Sequence, residues 1–171
     1  MISIQKATPA DAKLIADIGI KTLLESHGNS APAGDIAAYV SMTYDLKKVV
    51  EELEDQDNIF HIIYANGQAA GYSKILFNTP HPLVKSLAIT KLERIYLLSE
   101  FYDMKLGSAL FDHISRLSKE KNQTGIWLFT WTENQRALAF YKKKGFKIIG
   151  NSDFKISETH SNPNYVMYLK Y

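Results

Sequence analysis

The residues from Thr132 to Phe146 are those in this sequence whose types and spacing are best suited to chemistry. Asn134 is a natural amino-terminal cap and Gly145 a natural carboxyl-terminal cap, so the pair marks the two ends of a helix. Tyr141 lies on the core face of that helix, but its phenolic hydroxyl must find a partner or water if the ring is buried. Tyr141 is therefore either a core residue or a group that acts on a ligand.

A second candidate is the loop from Ser99 to Lys105, which leads into a helix predicted from Leu106 to Glu120. The loop follows a strand and so lies beside a helix amino terminus, where free backbone amides and the helix dipole favour phosphate. Gly107 lies in the first turn of the helix, where a missing side chain lets a ligand approach the amides. A close contact between helix and strand would require the same glycine, and the sequence leaves both explanations open.

These two segments belong to one predicted unit of alternating strands and helices. A strand at 92–98 precedes the loop and its helix, and a strand at 125–131, a helix at 134–144 and a strand at 146–150 follow. A strand, helix and strand of this length form a right-handed crossover, which makes the two strands parallel. The unit therefore predicts an α/β fold.

The first part of the chain predicts supporting helices. A strand at Ile2–Lys6 is followed by Thr8, which suits the amino cap of a long helix. Asp35 and Asp45 each suit the cap of a further short helix.

Two strands before the central unit form a predicted hairpin. They cover Ile59–Tyr64 and Gln68–Phe77, and Asn66 and Gly67 between them are typical of a tight two-residue turn. No linker, repeat or low-complexity segment interrupts the chain, so residues 1–171 are predicted to form a single domain.

Composition excludes several classes of chemistry. The chain has 171 residues, of which 46% are hydrophobic and 22% charged, as expected for one globular domain. It contains no cysteine, so disulfides, thiolate metal sites and a cysteine nucleophile are excluded, and any acyl transfer must be direct or use another residue. We predict no metal site.

Charge and hydrophobicity bear on partners and location. The net charge of +2 does not indicate a nucleic-acid partner. No apolar run approaches the roughly 18 residues of a membrane span, and the first residues lack the apolar core of a signal peptide. We therefore expect no nucleic-acid or membrane partner and a cytoplasmic protein.

A family resemblance follows from the pattern Asn-x-x-Ala-x-x-Phe-Tyr-x-x-x-Gly-Phe at 134–146, placed after a strand and a phosphate-type loop. It resembles the GNAT superfamily of acetyl-CoA-dependent N-acetyltransferases, and the similarity covers nearly the whole chain. The segments 26–28, 35–39, 92–96, 127–128 and 131–134 are most similar to the bacterial PaiA-type spermidine/spermine acetyltransferases.

The resemblance implies a three-layer α/β fold, with a mixed central sheet that splays at the acetyl-CoA site and helices on both faces. It implies direct transfer of acetyl from acetyl-CoA, the co-substrate, to a primary amine in a ternary complex. The implied amine is a polyamine such as spermidine or spermine. Three questions stay open: whether the acceptor is instead a protein amine or another small amine, whether the chain is a CoA-binding module with little turnover, and whether it forms a homodimer.

The resemblance also implies which residues contact acetyl-CoA. The strand at 93–98 splays from the strand at 126–131, and the backbone groups that pair with the pantetheine arm are those of Tyr96, Leu97 and Leu98. The pyrophosphate lies on the loop and first helical turn, at Tyr102, Lys105, Leu106, Gly107, Ser108 and Ala109. Asn134 contacts the arm, Lys143 lies near the phosphates, and Tyr141 donates a proton to the departing thiolate. A phenol suits this role because it keeps its own proton at neutral pH.

One position departs from the family pattern. The family loop has Gln or Arg, then Gly, then Gly or Ala at the positions of Tyr102, Lys105 and Gly107, and only the last matches. A left-handed backbone at Lys105 would cost roughly 1 kcal/mol that glycine avoids. A contact between its ammonium group and phosphate would offset that cost, so weakened and compensated cofactor binding are both open.

The amine substrate must lose a proton before it attacks the thioester, because an aliphatic ammonium has a pKa of roughly 10. Glu93, on the strand that holds the thioester, is the candidate base. A structural ion pair with a nearby lysine or arginine is the equal alternative for Glu93. Glu133 and Asp35 are further acids that could bind a cationic substrate.

Overall fold

The computed structural model describes all residues from Met1 to Tyr171, which form a seven-stranded sheet and five α-helices. The strands are β1 (Ile2–Lys6), β2 (Ile59–Ala65), β3 (Gln68–Leu76), β4 (Thr90–Leu97), β5 (Gly125–Trp131), β6 (Lys147–Lys155) and β7 (Ser161–Lys170). The helices are α1 (Ala12–His27), α2 (Ala33–Thr43), α3 (Leu46–Glu54), α4 (Leu106–Glu120) and α5 (Gln135–Lys143). Short 3-10 turns precede α1 and α4, at Pro9–Asp11 and Ser99–Phe101. No helix has both the length and the apolar character needed to cross a membrane.

The sheet is mixed and lies between two helical layers. Its strand order is β1-β2-β3-β4-β5-β7-β6, and only β4 and β5 are parallel. Alternate residues of a strand point to opposite faces, so Ile63 packs with residues of α4 and α5, whereas Ile62 packs with residues of α1, α2 and α3. This arrangement confirms the predicted three-layer α/β fold.

Several predicted helix ends have the expected local chemistry. Asp45 caps α3 by accepting a hydrogen bond from the Lys48 amide at 3.1 Å. Asn134 caps α5 by accepting one from the Ala137 amide at 3.1 Å. Gly145 ends α5 with a φ of +94°, a left-handed conformation that a residue without Cβ adopts at little cost.

The predicted hairpin also forms. Asn66 and Gly67, with φ values of 50° and 82°, make the turn between β2 and β3.

Three predictions about the elements need correction. Thr8 precedes the 3-10 turn rather than α1 itself. Asp35 lies inside the first turn of α2 instead of capping it, and its carboxylate accepts a hydrogen bond from the Ser157 hydroxyl. The last predicted strand, at 146–150, is longer than expected, since β6 covers Lys147–Lys155. The final strand β7, which was not predicted, lies between β5 and β6.

The sheet splays between its two central strands. The parallel pairing of β4 with β5 is limited to two register positions, Thr90 with Ile126 and Lys91 with Trp127. Beyond Lys91, β4 remains paired with β3 as far as Leu97, while β5 remains paired with β7 throughout. The carboxyl ends of β4 and β5 therefore separate and leave a gap in the sheet, as the resemblance implied.

Candidate active site

The gap between β4 and β5 widens into a cleft of about 1060 Å³. The ends of β4 and β5, the loop before α4, the start of α4 and one face of α5 form one side, and residues of α1 and α2 contribute the opposite wall. The cleft brings together most of the predicted site residues, namely Glu93, Tyr96, Leu97, Tyr102, Lys105, Leu106, Gly107, Ser108, Asn134, Tyr141 and Lys143. Leu98 and Ala109 do not line it.

The backbone of β4 has free hydrogen-bonding groups on the side that faces the gap. The Leu98 amide donates to the Ala70 carbonyl at 2.9 Å, and the Leu98 carbonyl accepts from the Phe101 amide at 3.0 Å. Backbone groups alternate in direction along a strand paired antiparallel, so Tyr96 faces β3 as Leu98 does, whereas Ile95 and Leu97 face the gap. The backbone groups left free for a ligand are therefore those of Ile95 and Leu97, whereas those of Tyr96 and Leu98, which were predicted together with Leu97, face β3.

The loop and first turn of α4 form an anion site made of backbone. Six consecutive amides, from Asp103 to Ser108, have no hydrogen-bond partner within the protein. The flanking amides are bound, Tyr102 to the Ser99 carbonyl and Ala109 to the Lys105 carbonyl. Unpaired amides at the amino end of a 15-residue helix attract a phosphate group. Within the predicted segment from Tyr102 to Ala109, the amides at 103–108 are thus free for a ligand, whereas those of Tyr102 and Ala109 are bound to carbonyl groups of the protein.

Two residues of this loop adopt a left-handed backbone. Asp103 has a φ of 63°, and Lys105 has a φ of 59° with a ψ of 14°. Every other residue with positive φ in the chain is Asn or Gly, which tolerate this region better than lysine does. The backbone cost expected for Lys105 is therefore real. Successive amides in turns that include left-handed residues can form a concave site that favours an anion.

The surroundings of Gly107 are compatible with both explanations left open by the sequence. Its amide is one of the six free donors. A Cβ atom at this position would lie 3.3 Å from Leu97 Cδ1 and 3.8 Å from Phe140 Cε2, so glycine also permits close packing of α4 against β4 and α5.

Four cationic side chains surround the anion site. Lys105 and Lys143 are exposed and make no ion pair, which leaves their ammonium groups free for a ligand. Lys144 bridges the Ser108 hydroxyl and the Asp112 carboxylate, at 2.5 and 2.6 Å, and so ties α5 to α4. The Arg136 guanidinium lies 3.3 Å from the centre of the Tyr102 ring.

Arg136 and Lys144 were not predicted as site residues. Helical spacing could have indicated them, because residues seven or eight positions apart on a helix lie on the same face. Arg136 therefore shares a face with the predicted residue Lys143 and with Lys144.

Tyr141 combines a buried ring with a hydroxyl that is free of protein partners. Its ring is buried against Phe140 and Phe146, and burial raises its pKa well above the ordinary value. Its hydroxyl has no hydrogen-bond partner within the protein, although the residue lines the cleft. The phenol is therefore protonated at neutral pH and free to donate to a ligand.

Glu93 lies in a partly buried network of ion pairs. Its carboxylate is 2.5 Å from the Lys74 ammonium and 3.1 Å from the Lys91 ammonium. Lys74 also pairs with Glu52 at 3.2 Å, and Arg94 binds Glu52 through two nitrogens at 2.9 and 3.2 Å. This is the structural ion pair that the sequence left as the alternative.

The network also sets the charge state of Glu93. Burial works to raise its pKa, but the Lys74 ammonium, aided by Lys91 and Arg94, outweighs burial and lowers the pKa to about 2. A carboxylate held so firmly in its ionised form is a weak base for an ammonium whose pKa is roughly 10. The structure therefore favours a structural over a catalytic role for Glu93.

The other two predicted acids differ in position. Glu133 is exposed, lines the cleft and makes no ion pair, whereas Asp35 does not line the cleft. A third acid, Glu25, lines the α1 wall but binds the Ser99 hydroxyl and amide at 2.8 and 3.2 Å. Glu133 is thus the predicted acid that is available to a cationic substrate.

Comparison with known proteins identifies the family. A family model described as the Acetyltransferase (GNAT) family matches residues 24–146. This range covers more than half of the chain, and the chain therefore belongs to the GNAT acetyltransferase family. It is an N-acetyltransferase of the GNAT type, with acetyl-CoA as its co-substrate. The free amides and cations described above fit a pyrophosphate, and no group of His, Cys, Asp and Glu side chains is arranged to hold a metal ion.

Individual relatives agree with this class. An uncharacterized N-acetyltransferase from Lactobacillus delbrueckii subsp. lactis is 24% identical over 144 residues, which cover 84% of this chain and 83% of the relative. Among solved structures, the PaiA N-acetyltransferase from Thermoplasma acidophilum in complex with coenzyme A has a TM-score of 0.80 at 20% identity, with 100% of this chain and 99% of that chain covered. The ribosomal-protein-S18-alanine N-acetyltransferase from Escherichia coli has a TM-score of 0.66 at 16% identity, with 99% of this chain and 94% of that chain covered. The two structural likenesses establish the fold and not the substrate.

The anion site gives a prediction for Lys105→Gly. Glycine relieves backbone strain of roughly 1 kcal/mol, but loss of an ammonium that contacts phosphate costs roughly 1.5–3 kcal/mol. We expect the loss of the ammonium group to outweigh the relief of backbone strain, so that the Lys105→Gly variant binds acetyl-CoA about 2- to 30-fold more weakly. The loss of affinity should be larger at low salt, where the attraction in the wild type is less screened. Isothermal titration calorimetry at two ionic strengths measures this effect.

Asp103→Gly is the matched control for Lys105→Gly. Asp103 has the same left-handed backbone but carries a negative charge, so its replacement should leave acetyl-CoA binding unchanged or tighter. Tighter binding by Lys105→Gly at both ionic strengths would contradict the charge argument and identify Lys105 as a tolerated defect.

A second prediction concerns Glu93→Gln. We expect a loss of about 2 kcal/mol in the free energy of unfolding at pH 7, below the roughly 3–5 kcal/mol of a buried charge left alone, because Lys74 keeps Glu52 as a partner. The folded-state pKa lies below the ordinary value of 4.5, so ionised Glu93 stabilises the fold above pH 4.5 and this stabilisation is lost as the pH falls toward 2. Denaturant unfolding at several pH values should therefore show the variant and the wild type converging in acid.

The activity of Glu93→Gln separates the two roles. A structural residue predicts a pH profile of unchanged shape for the variant. Recovery of its activity at alkaline pH, where more free amine is present, is the outcome that would restore Glu93 as the base.

Proposed function

We propose that this protein transfers acetyl directly from acetyl-CoA to a primary amine in a ternary complex, with a polyamine such as spermidine or spermine as the acceptor. The observation that carries the proposal is the position of the Tyr141 hydroxyl, which has no protein partner and shares one cleft with the six free amides from Asp103 to Ser108. A phosphate anchor and a proton donor in one cleft suit the transfer of a thioester-bound group.

The residues of the chain have distinct roles in this proposal. The amides at 103–108 bind the pyrophosphate, and the backbone groups of Ile95 and Leu97 bind the pantetheine arm across the gap in the sheet. Acetyl-CoA supplies an activated acyl group. Tyr141 donates its proton to the sulfur as the bond between carbon and sulfur breaks, which avoids release of a free thiolate.

Direct transfer is supported by the lack of a nucleophile in the cleft. The chain has no cysteine. The Ser108 hydroxyl is bound to Lys144, and the Ser26 hydroxyl is bound to the Thr22 carbonyl at 2.8 Å. Neither serine hydroxyl is therefore activated to carry the acetyl group, which favours attack on the thioester by the amine itself.

The α1 and α2 side of the cleft suits a cationic acceptor. Tyr39 and Phe154 pack edge to face with ring centres 6.0 Å apart, and Trp131 closes the end of β5, so the acceptor meets aromatic faces that attract ammonium groups. Glu133 provides a free carboxylate beside this wall. The fold likeness to the PaiA enzyme is consistent with a polyamine.

One observation favours a smaller amine as a second candidate. Glu25 and Glu93, the other two glutamates of the cleft, are bound to groups of the protein itself. With Glu133 as the single free glutamate, an amine metabolite with one positive charge fits as well as a polyamine.

A panel of amines tests the acceptor. We expect release of CoA from acetyl-CoA with spermidine and spermine, and a kcat/KM roughly 2- to 5-fold above that of butylamine, the size of an exposed ion pair with Glu133. Glu133→Gln should remove this preference, whereas Asp35→Asn, outside the cleft, should retain it. Preference for a peptide amino terminus would favour a protein substrate, and affinity without amine-dependent release would favour a CoA-binding module.

A further prediction tests the proton donor. Tyr141→Phe should lower kcat by about 10² or more while acetyl-CoA affinity and thermal stability stay nearly unchanged, because the hydroxyl has no partner in the protein. Stopped-flow and steady-state measurements of CoA release, combined with calorimetric titration, provide the comparison.

Tyr168→Phe, on β7 and outside the cleft, is the control and should retain full activity. An unchanged kcat in Tyr141→Phe, under conditions where chemistry limits turnover, would remove Tyr141 from the mechanism.

A further inference from the structure

The proposed reaction needs a base for the amine, and Glu93 does not fit that role. Both of its oxygens face lysine ammonium groups, and it lies within a network that holds β4 to β3 and α3. The proton acceptor should instead be a group that lines the acceptor side of the cleft and whose lone pair is not already bound to a cation. His27 meets that description.

His27 is the last residue of α1 and lines the cleft from the α1 wall. Its ring packs against Trp131, the last residue of β5, with ring centres 5.5 Å apart and planes tilted by 35°. This contact places the imidazole at the open end of the splay, on the opposite wall from the strand that presents Leu97. It also fixes the orientation of the ring.

A chain of hydrogen bonds determines the tautomer of His27. The Ser26 hydroxyl lies 2.8 Å from the Thr22 carbonyl and 2.6 Å from His27 Nδ1. A carbonyl only accepts hydrogen bonds, so the single hydroxyl proton of Ser26 goes to Thr22. The Ser26 oxygen then accepts from Nδ1–H, and neutral His27 carries its proton on Nδ1.

The other ring nitrogen is consequently basic. His27 Nε2 has no hydrogen-bond partner within the protein. It is also absent from the set of polar side-chain atoms that are both buried and unpartnered. Its lone pair is therefore accessible from the cleft. We propose that His27 Nε2 is the base that accepts the proton of the substrate ammonium, and that Ser26 is a positioning residue that fixes its tautomer. This inference rests on the proposed function.

The surroundings of His27 suit a neutral base. Burial lowers its pKa below the ordinary value of 6.5, so the ring is unprotonated at neutral pH. The titratable groups on the adjoining segments are Glu25, which is bound to Ser99, Glu133, which is exposed, and His160, which contacts Ser30 and Asn162. The carboxyl end of α1 favours positive charge on the ring once the proton has arrived.

The proposed step balances in protons and electrons. His27 Nε2 takes one proton from the ammonium, and the freed nitrogen lone pair forms a bond to the thioester carbon. The bond between carbon and sulfur breaks, and its electron pair goes to sulfur, which receives the Tyr141 proton. The acylated nitrogen then returns one proton to the Tyr141 oxygen, and His27 releases its proton to water.

The test is the pH dependence of kcat/KM for spermidine in His27→Gln. We expect a loss of about 10²–10³ at pH 7. Without the base only free amine reacts, so kcat/KM of the variant should rise about tenfold per pH unit toward the amine pKa of roughly 10, whereas the wild type stays nearly flat. The acetyl-CoA dissociation constant should not change.

Two further variants make the test specific. Ser26→Ala should lower kcat/KM about tenfold with unchanged acetyl-CoA affinity, because the tautomer is no longer fixed. His81→Gln is a matched control: His81 also packs on a tryptophan of β5, Trp127 at 4.6 Å, and also has a pKa lowered by burial, but it lies outside the cleft. It should leave the pH profile unchanged.

A measurement on the wild-type protein avoids any effect of substitution on folding. Nitrogen-15 NMR of the histidine rings should show His27 protonated on Nδ1 at neutral pH, with a pKa below 6.5. The other tautomer, or a kcat/KM for His27→Gln that is unchanged or lowered equally at every pH, would overturn the inference. Lack of amine-dependent CoA release by the wild type would instead overturn the proposed function itself.

Discussion

The early end of pairing between β4 and β5 is the constraint on which the rest of the site depends. Two parallel register positions hold the strands together, and beyond Lys91 each strand keeps only its outer partner. The backbone groups of Ile95 and Leu97 are left without a neighbouring strand, and a buried backbone group without a partner is costly. A ligand with amide groups of its own is the natural partner for such an edge.

Buried charge lies where β4 leaves β5. Lys74 and Arg94 face each other across β3 and β4, next to a register shift between Lys74 and Ile75. Their partners are Glu93 on β4 and Glu52 on α3, so the network joins the strand to a helix of the opposite layer. Such a network adds less to stability than its number of contacts suggests, because each charge first loses its hydration. Its contribution here is geometric, since it ties β4 to β3 and α3 just beyond the point where the pairing of β4 with β5 ends.

Local chemistry made much of the fold predictable. Asn134, Gly145 and Asp45 act through hydrogen bonds or backbone angles within a few residues, and the structure places each as the sequence indicated. The ends of α4 and β5 follow from apolar patterns of the same short range. The prediction that Asp35 caps a helix was wrong. Its carboxylate instead accepts a hydrogen bond from Ser157, which is 122 positions away in the chain.

The parts of the site that escaped prediction depend on contacts between distant segments. The ion pairs of Glu93 arise from the packing of β3 and α3 against β4, which no spacing within one segment encodes. The choice of Ile95 and Leu97 over their neighbours follows from which side of β4 pairs with β3. His27 and Trp131, 104 positions apart in the sequence, come together only through the packing of α1 against the sheet.

The narrow junction at β4 and β5 also bears on how the molecule unfolds. The sheet consists of two well-paired blocks. One contains β1 to β4, the other contains β5, β7 and β6, and only two register positions of β4 and β5 pair across the junction. Without ligand, each block has its own set of hydrogen bonds and is suited to behave as a separate cooperative unit in hydrogen exchange. In the proposed binding mode, a pantetheine arm bound to the backbone of Leu97 would occupy the gap between the two blocks. The co-substrate would then act as an extra strand and couple the unfolding of the two blocks.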